Sequence, residues 1–154
     1  MTSPNVRVKN TVILRASANC PSHSLSKVSV RDVEFAIDEP VERGGSNLGP
    51  TPTDAALAAL IGCTNVIGHK CASRLAIDIG ELHIDASCEF DRRGVTLQEG
   101  IDVPFVSIAL TITTSNRVSE NKLKQLAEEV SIYCPLSKLF RQAGTSIEEN
   151  WISG

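Results

Sequence analysis

The chain is predicted to fold as an α+β domain, and three observations predict it. Segments of strand-like alternation come in runs on either side of a central helix rather than alternating one by one with helices. Between them lies a helix-length stretch, Ala55 to about Leu75, in which small and aliphatic residues surround most of the circumference. A second helical block from Ser119 to about Gly144 is set apart before a last short strand. At 154 residues with 42% hydrophobic content the chain is expected to form one domain over 1–154 with a real core.

Each element has a local reason. From Val6 to Ala18 the chain is mixed polar and β-branched, and Thr11-Val12-Ile13-Leu14 reads as a strand that opens a hairpin through the turn Asn19 to Ser24. In Val28 to Ile37 the alternation slips near Arg31-Asp32, which fits either one strand with a bulge or two short strands. Arg43 to Pro52 is a glycine- and proline-rich loop. Thr51 is a candidate N-cap, with Pro52 at the first helical position and Asp54 in the first turn, where its charge complements the helix dipole. Ile77 to Glu89 and Val103 to Thr113 read as an antiparallel strand pair. Ser119 is a candidate cap for a helix carrying Leu123, Leu126, Ala127 and Val130 at helical spacing; the chain breaks at Tyr133 to Pro135 and a short helix follows. Thr145 begins the last strand, which contains Trp151. The central helix is too apolar to be covered by one small sheet, so a second copy of the chain is expected against it, as a homodimer.

Composition narrows the function. The formal net charge of −3 and pI near 5.6, with scattered Lys and Arg, give no footprint for nucleic acid or an anionic membrane. Met1 to Asn5 lacks an apolar signal core, and the longest apolar run is interrupted by Gly62, Thr64 and Asn65, so neither secretion nor a membrane span is expected. Five cysteines at irregular spacing fit a reducing compartment, and the cytoplasm is the expected location. Cys20 with His23 and His69 with Cys71 have no second pair at zinc-site spacing, so no metal is expected, and Cys20, Cys71 and Cys88 read as structural. No Cys-x-x-Cys motif suggests a disulfide reductase.

Two cysteines stand in unlike settings. Cys63 sits in the apolar helical stretch, where a cysteine usually behaves as a small hydrophobe; Cys134, followed by Pro135, sits at a helix start, where oriented N–H groups favour a thiolate. Together, Asp38-Glu39-Pro40, Gly44-Gly45-Ser46-Asn47-Leu48-Gly49-Pro50-Thr51-Pro52, the Gly62-Cys63-Thr64 segment and Tyr133-Cys134-Pro135-Leu136-Ser137 resemble the OsmC/Ohr family from about Val28 to Trp151. The resemblance implies antiparallel sheets around a buried central helix, an intertwined homodimer with active sites at its interface, and thiol-dependent reduction of organic hydroperoxides without a cofactor. It further implies that Cys63 attacks the peroxide, that Cys134 resolves the sulfenic acid as a disulfide, and that an external thiol or dithiol regenerates the pair.

In such a site Leu57, Leu60 and Ile61 would make an apolar pocket. The pattern departs from the best-understood branches, which carry a glutamate directly after the helix-starting proline and an arginine from an N-terminal loop. Here Thr53 follows Pro52 and Asp54 is one place on, as in a more divergent OsmC-like branch. Arg43 is the candidate for the missing cation, with Arg15 a poorer one on an expected strand. A non-catalytic small-molecule-binding or redox-sensing protein is the alternative.

Overall fold

The computed structural model describes residues 9–154, so Met1 to Asn5 and the start of the Val6 to Ala18 segment lie outside the described residues. The chain forms two compact units, one ending at Ala55 and one running Ala56–Gly154. Helix α1 (Pro52–Arg74) starts in the first and continues through the second.

The first unit is an antiparallel meander of β1 (Ser17–Asn19), β2 (Ser26–Val30) and β3 (Val33–Ile37). The opening hairpin is present, but its first strand lies later than Thr11 to Leu14. That segment is irregular, with Val12, Ile13 and Leu14 exposed, because β1 registers Ser17 to Asn19 against Ser29 to Lys27 and leaves Thr11 to Leu14 no strand to pair with among the described residues. The slip at Arg31-Asp32 is a two-residue turn between two strands, with Arg31 at φ 56°.

After β3 the chain folds around the carboxylate of Asp38, which is fully buried. It accepts from the Glu39 N–H at 2.8 Å, the Ser46 N–H at 3.2 Å, the Ser46 hydroxyl at 2.7 Å and the Leu48 N–H at 3.1 Å. These bonds hold its carboxyl well below the usual carboxylate range, the Ser46 hydroxyl most of all. The glycines of this loop are required by close approach: a Cβ on Gly45 would stand 1.9 Å from the Glu39 carbonyl oxygen, and one on Gly49 2.1 Å from that of Ala36. Thr51 caps α1 as expected, accepting from the Asp54 N–H at 3.2 Å.

The second unit contains β4 (Leu82–Phe90), β5 (Phe105–Thr114), α2 (Glu120–Tyr133), α3 (Pro135–Gln142) and β6 (Ser146–Ile152). The expected β4–β5 antiparallel pair forms, though β4 begins at Leu82 rather than Ile77. Ala76 and Gly80 both adopt positive φ and break the extended backbone, while Ile77 returns its N–H to the Ala72 carbonyl. The sheet is mixed, not antiparallel, because β6 runs parallel to β5. The connection over residues 115–145 holds two helices, enough chain for the crossover a parallel pair needs. Ser119 caps α2, accepting from the Lys122 N–H at 3.4 Å.

The core is built from one face of α1, the inward phase of β5 (Ile108, Leu110, Ile112), and Leu123, Leu126 and Val130 of α2. Only Leu60, Thr64, Gly68, Cys71 and Ala72 of α1 are buried, so the helix is covered along one stripe rather than all round. The glycine at position 68 lets the helix settle on the sheet: a Cβ there would already touch Leu82 and Trp151 at 3.4 Å. By length and composition α1 could cross a bilayer, and in this fold one stripe of it packs into the core.

Candidate functional site

The second unit brings Cys63 and Cys134 together. Their sulfurs are 3.3 Å apart, with the Cys134 thiol donating to the Cys63 sulfur, although 71 residues separate them. Cys63 projects from α1 just before Thr64 of the buried stripe. Cys134 stands at the joint of two helices: its N–H closes α2 on the Val130 carbonyl at 2.8 Å, and its carbonyl accepts from the Lys138 N–H at 3.1 Å in α3. Pro135 forces this joint, since the residue before a proline is driven out of the helical region; Cys134 is extended at φ −71°, ψ 108°. The end of α1 is tied to the end of α2 by Arg74, which pairs with Glu129 and lays its guanidinium 4.6 Å from the Tyr133 ring centre. This fixes the C-terminal end of α1 against the end of α2, next to Cys134.

The environments of the two thiols differ from the sequence expectation. Cys134 is 0% exposed, whereas Cys63 is only half-buried, so the more shielded sulfur is the one at the helix start. Burial pushes the Cys134 thiol up to about 11, outweighing the pull of the Ser137 and Leu136 N–H groups; the neighbouring Cys63 sulfur pushes it further in the same direction. Those N–H groups act through the field of the helix start, for the sulfur makes no cap hydrogen bond of normal geometry. At neutral pH Cys134 is therefore a protonated thiol, suited to be the donor in the S–H···S contact. Of the expected apolar lining, Leu60 is wholly buried in the core and lines nothing accessible, while Leu57 is half-buried against that core.

Arg43 and Asp54 belong to the first unit, and each has a partner there. Arg43 ends a short 3-10 helix (Val41–Arg43), is exposed, and pairs with Glu39 at 3.3 Å. The Asp54 carboxylate accepts from the Thr51 hydroxyl at 2.7 Å, completing a reciprocal cap. The remaining thiols are separate: Cys20 is exposed beside the Ser26 hydroxyl at 3.4 Å, and burial raises both Cys71 and Cys88. The two ring nitrogens of His69 lie against backbone carbonyl oxygens, of Asn65 at 2.9 Å and of Gly80 at 3.0 Å.

Sequence reasoning missed three residues around Cys134. Ser137 is 0% exposed and its hydroxyl accepts from Arg141 Nε at 3.2 Å; Arg141 in turn faces Glu149 of β6. The signal was present in the spacing: Ser137 and Arg141 fall three and seven places after Cys134, one helix face, and Glu149 falls between Ile147 and Trp151 in the inward phase of a strand.

Comparisons with known proteins agree with this architecture. Comparison with curated proteins found no match. Among solved structures, an OsmC-like protein from Mycoplasma pneumoniae superposes with a TM-score of 0.73 at 19% identity, covering 92% of this chain and 97% of that one. An organic hydroperoxide resistance protein OsmC from Legionella pneumophila gives 0.70 at 14% identity, covering 94% and 99%. The organic hydroperoxide resistance protein OhrB of Bacillus subtilis gives 0.63 at 18%, covering 91% and 98%. At such identities the likeness establishes the fold. The family model for OsmC-like proteins matches residues 44–150, from the glycine-rich loop through both cysteines to the last strand, and the chain belongs to the OsmC-like protein family.

Proposed function

We propose that this protein is a thiol-dependent peroxidase that reduces organic hydroperoxides through Cys63 and Cys134. The observation that carries the reading is the 3.3 Å contact between two reduced sulfurs, one partly accessible and one buried behind it. The Cys63 thiolate attacks the outer peroxide oxygen; the O–O bond breaks, Cys63 keeps that oxygen and its hydrogen as a sulfenic acid, and the departing alkoxide takes a proton from solvent to leave as the alcohol. The Cys134 thiol then attacks that sulfur, forming the disulfide as the hydroxyl leaves with the thiol proton as water. An external thiol or dithiol supplies the two electrons that restore both thiols. The Cys134 thiol, hydrogen-bonded to the reacting sulfur, stays next to the sulfenic acid once it forms, limiting over-oxidation.

The working form in this reading is a homodimer in the cytoplasm, with its active sites at the interface. Support comes from the α1 face outside the buried stripe, where Ala58, Ala59, Gly62 and Val66 are exposed small or apolar residues, and from five free cysteines. The test is non-reducing peptide mapping after one equivalent of cumene hydroperoxide, with peroxide loss followed in parallel. A stoichiometric Cys63–Cys134 disulfide matching the peroxide consumed supports the reading. Cys63→Ser should abolish consumption and Cys134→Ser should allow one turnover at most unless external thiol is added. Unconsumed peroxide with both thiols free would overturn it in favour of a small-molecule-binding or redox-sensing protein.

A further inference from the structure

Glu149 takes no part in the reaction above, yet it occupies a position the strand pattern reserves for apolar side chains. In the β5–β6 register Ile147 lies opposite Ile108, Glu149 opposite Leu110, and Trp151 opposite Ile112, so the acid points to the same side as three buried aliphatic residues. Its side chain is 10% exposed. Burial pushes the carboxyl up, opposed by the Trp151 indole and by Arg141; the indole Nε1 is itself buried without a hydrogen-bond partner, so its pull is that of a nearby dipole. A buried acid of this kind is tolerated when a cation holds it, and the cation here is Arg141, with Nη2 at 3.9 Å. The same guanidinium donates through Nε to the fully buried hydroxyl of Ser137, one turn beyond Cys134.

We propose that Arg141 is a positioning residue for Cys134: by gripping Ser137 and Glu149 at once, its planar guanidinium pins the first turn of α3 to strand β6 and keeps the Cys134 sulfur in line with Cys63. The proposal rests on the reading of the two cysteines as a redox pair, not on the identity of the oxidant. Its effect falls on the second chemical step, disulfide closure, and leaves the first attack at Cys63 alone.

The experiment uses diamide, which oxidises dithiols without a peroxide. The Cys63 thiolate adds across its N=N bond; the Cys134 thiol then displaces the adduct, the S–S bond forms, and the hydrazine leaves with both protons. Quenched-flow mass spectrometry follows adduct formation and closure as separate phases. Arg141→Met should leave the first phase within about twofold of wild type and slow closure by about tenfold to a hundredfold, the scale on which misplacing a reacting atom acts. Arg141→Lys keeps the charge beside Glu149 without the double grip and should fall between the two; it also serves if the methionine variant does not fold. On a Ser137→Ala background, Arg141→Met should add little. Closure at the wild-type rate in Arg141→Met or in Arg141→Lys, equal slowing of both phases, or full additivity with Ser137→Ala would overturn the proposal. A wild-type protein that closes with diamide but ignores cumene hydroperoxide would refute the peroxidase and leave Arg141 to be judged on the closure phase; one that closes with neither would refute both.

Discussion

Oxidation should make the fold markedly more stable, and the amount follows from the placement of the two thiols. A Cys63–Cys134 bond closes a loop of 71 residues. In the chain-entropy treatment a loop of that length removes about 15 cal/mol/K from the unfolded chain, or about 4.4 kcal/mol at 25 °C. The sulfurs start 3.3 Å apart and must approach to about 2.05 Å, a closure that side-chain rotation can absorb, so the net gain expected is about 2–4 kcal/mol. With about 2.1 cal/mol/K per residue of unfolding entropy over 154 residues, the upper end of that net range corresponds to a rise in Tm of about 12 °C. The assay is urea and thermal unfolding of diamide-oxidised and reduced protein at one protein concentration, since self-association would otherwise shift both curves. Cys134→Ser given the same treatment is the control. If the mapped Cys63–Cys134 disulfide leaves stability unchanged or lowers it, the bond forms only by distorting the fold, and the adjacency on which the site rests is wrong.

Three further outcomes follow from the geometry. The Asp38 carboxyl is held below its ordinary range in the folded state, so its contribution is complete above about pH 5, where an unfolded carboxyl is ionised, and is lost progressively as the pH falls below that; the urea midpoint of Asp38→Asn should be lower at pH 7 and depend less on pH between 3 and 6. At Gly68 alanine should be tolerated, because its Cβ would meet Leu82 and Trp151 at 3.4 Å, whereas Gly68→Leu should lower stability by about 1–3 kcal/mol in the same assay by wedging α1 off the sheet. The Cys134 thiol, pushed up to about 11, must lose its proton to close the disulfide, so the closure rate should climb from pH 7 to pH 9, with a plateau below pH 8 arguing against a buried thiol as the attacking group.

The elements with strong local chemistry were legible in the sequence. Thr51-Pro52 and Ser119 caps, the Cys134-Pro135 break and the alternation of β4 and β5 depend on residues within a turn or two of each other, and they occur as read. What was not legible depended on distant partners. Val12, Ile13 and Leu14 have strand-like side chains, but pairing is decided by what β2 presents, and β2 presents its edge to Ser17 to Asn19. The direction of β6 is set by how α2 and α3 return the chain, which no property of Ser146 to Ile152 encodes. At the site, the cysteine pair was carried by the family resemblance, and the Ser137–Arg141–Glu149 chain was hidden because its last link crosses from a helix to a strand. The helix-start argument for Cys134 failed on magnitude: a few N–H dipoles do not offset complete burial of a thiol.

The order of the thiols along the chain carries a consequence for making the protein. Cys63, Cys71 and Cys88 all precede Cys134, and Cys63 lies 8 residues from Cys71 and 25 from Cys88. In an unfolded chain short loops close at lower entropic cost than long ones, so air oxidation before α3 has docked favours the neighbours over the native-adjacent pair. Cys71 belongs to the core face of α1, and tying it to Cys63 would forbid the helix both thiols sit on. Refolding under reductant, with oxidant added only afterwards, should give a single disulfide, whereas refolding in air should leave a fraction of chains locked out of the native state by a bond between correct atoms of the wrong residue.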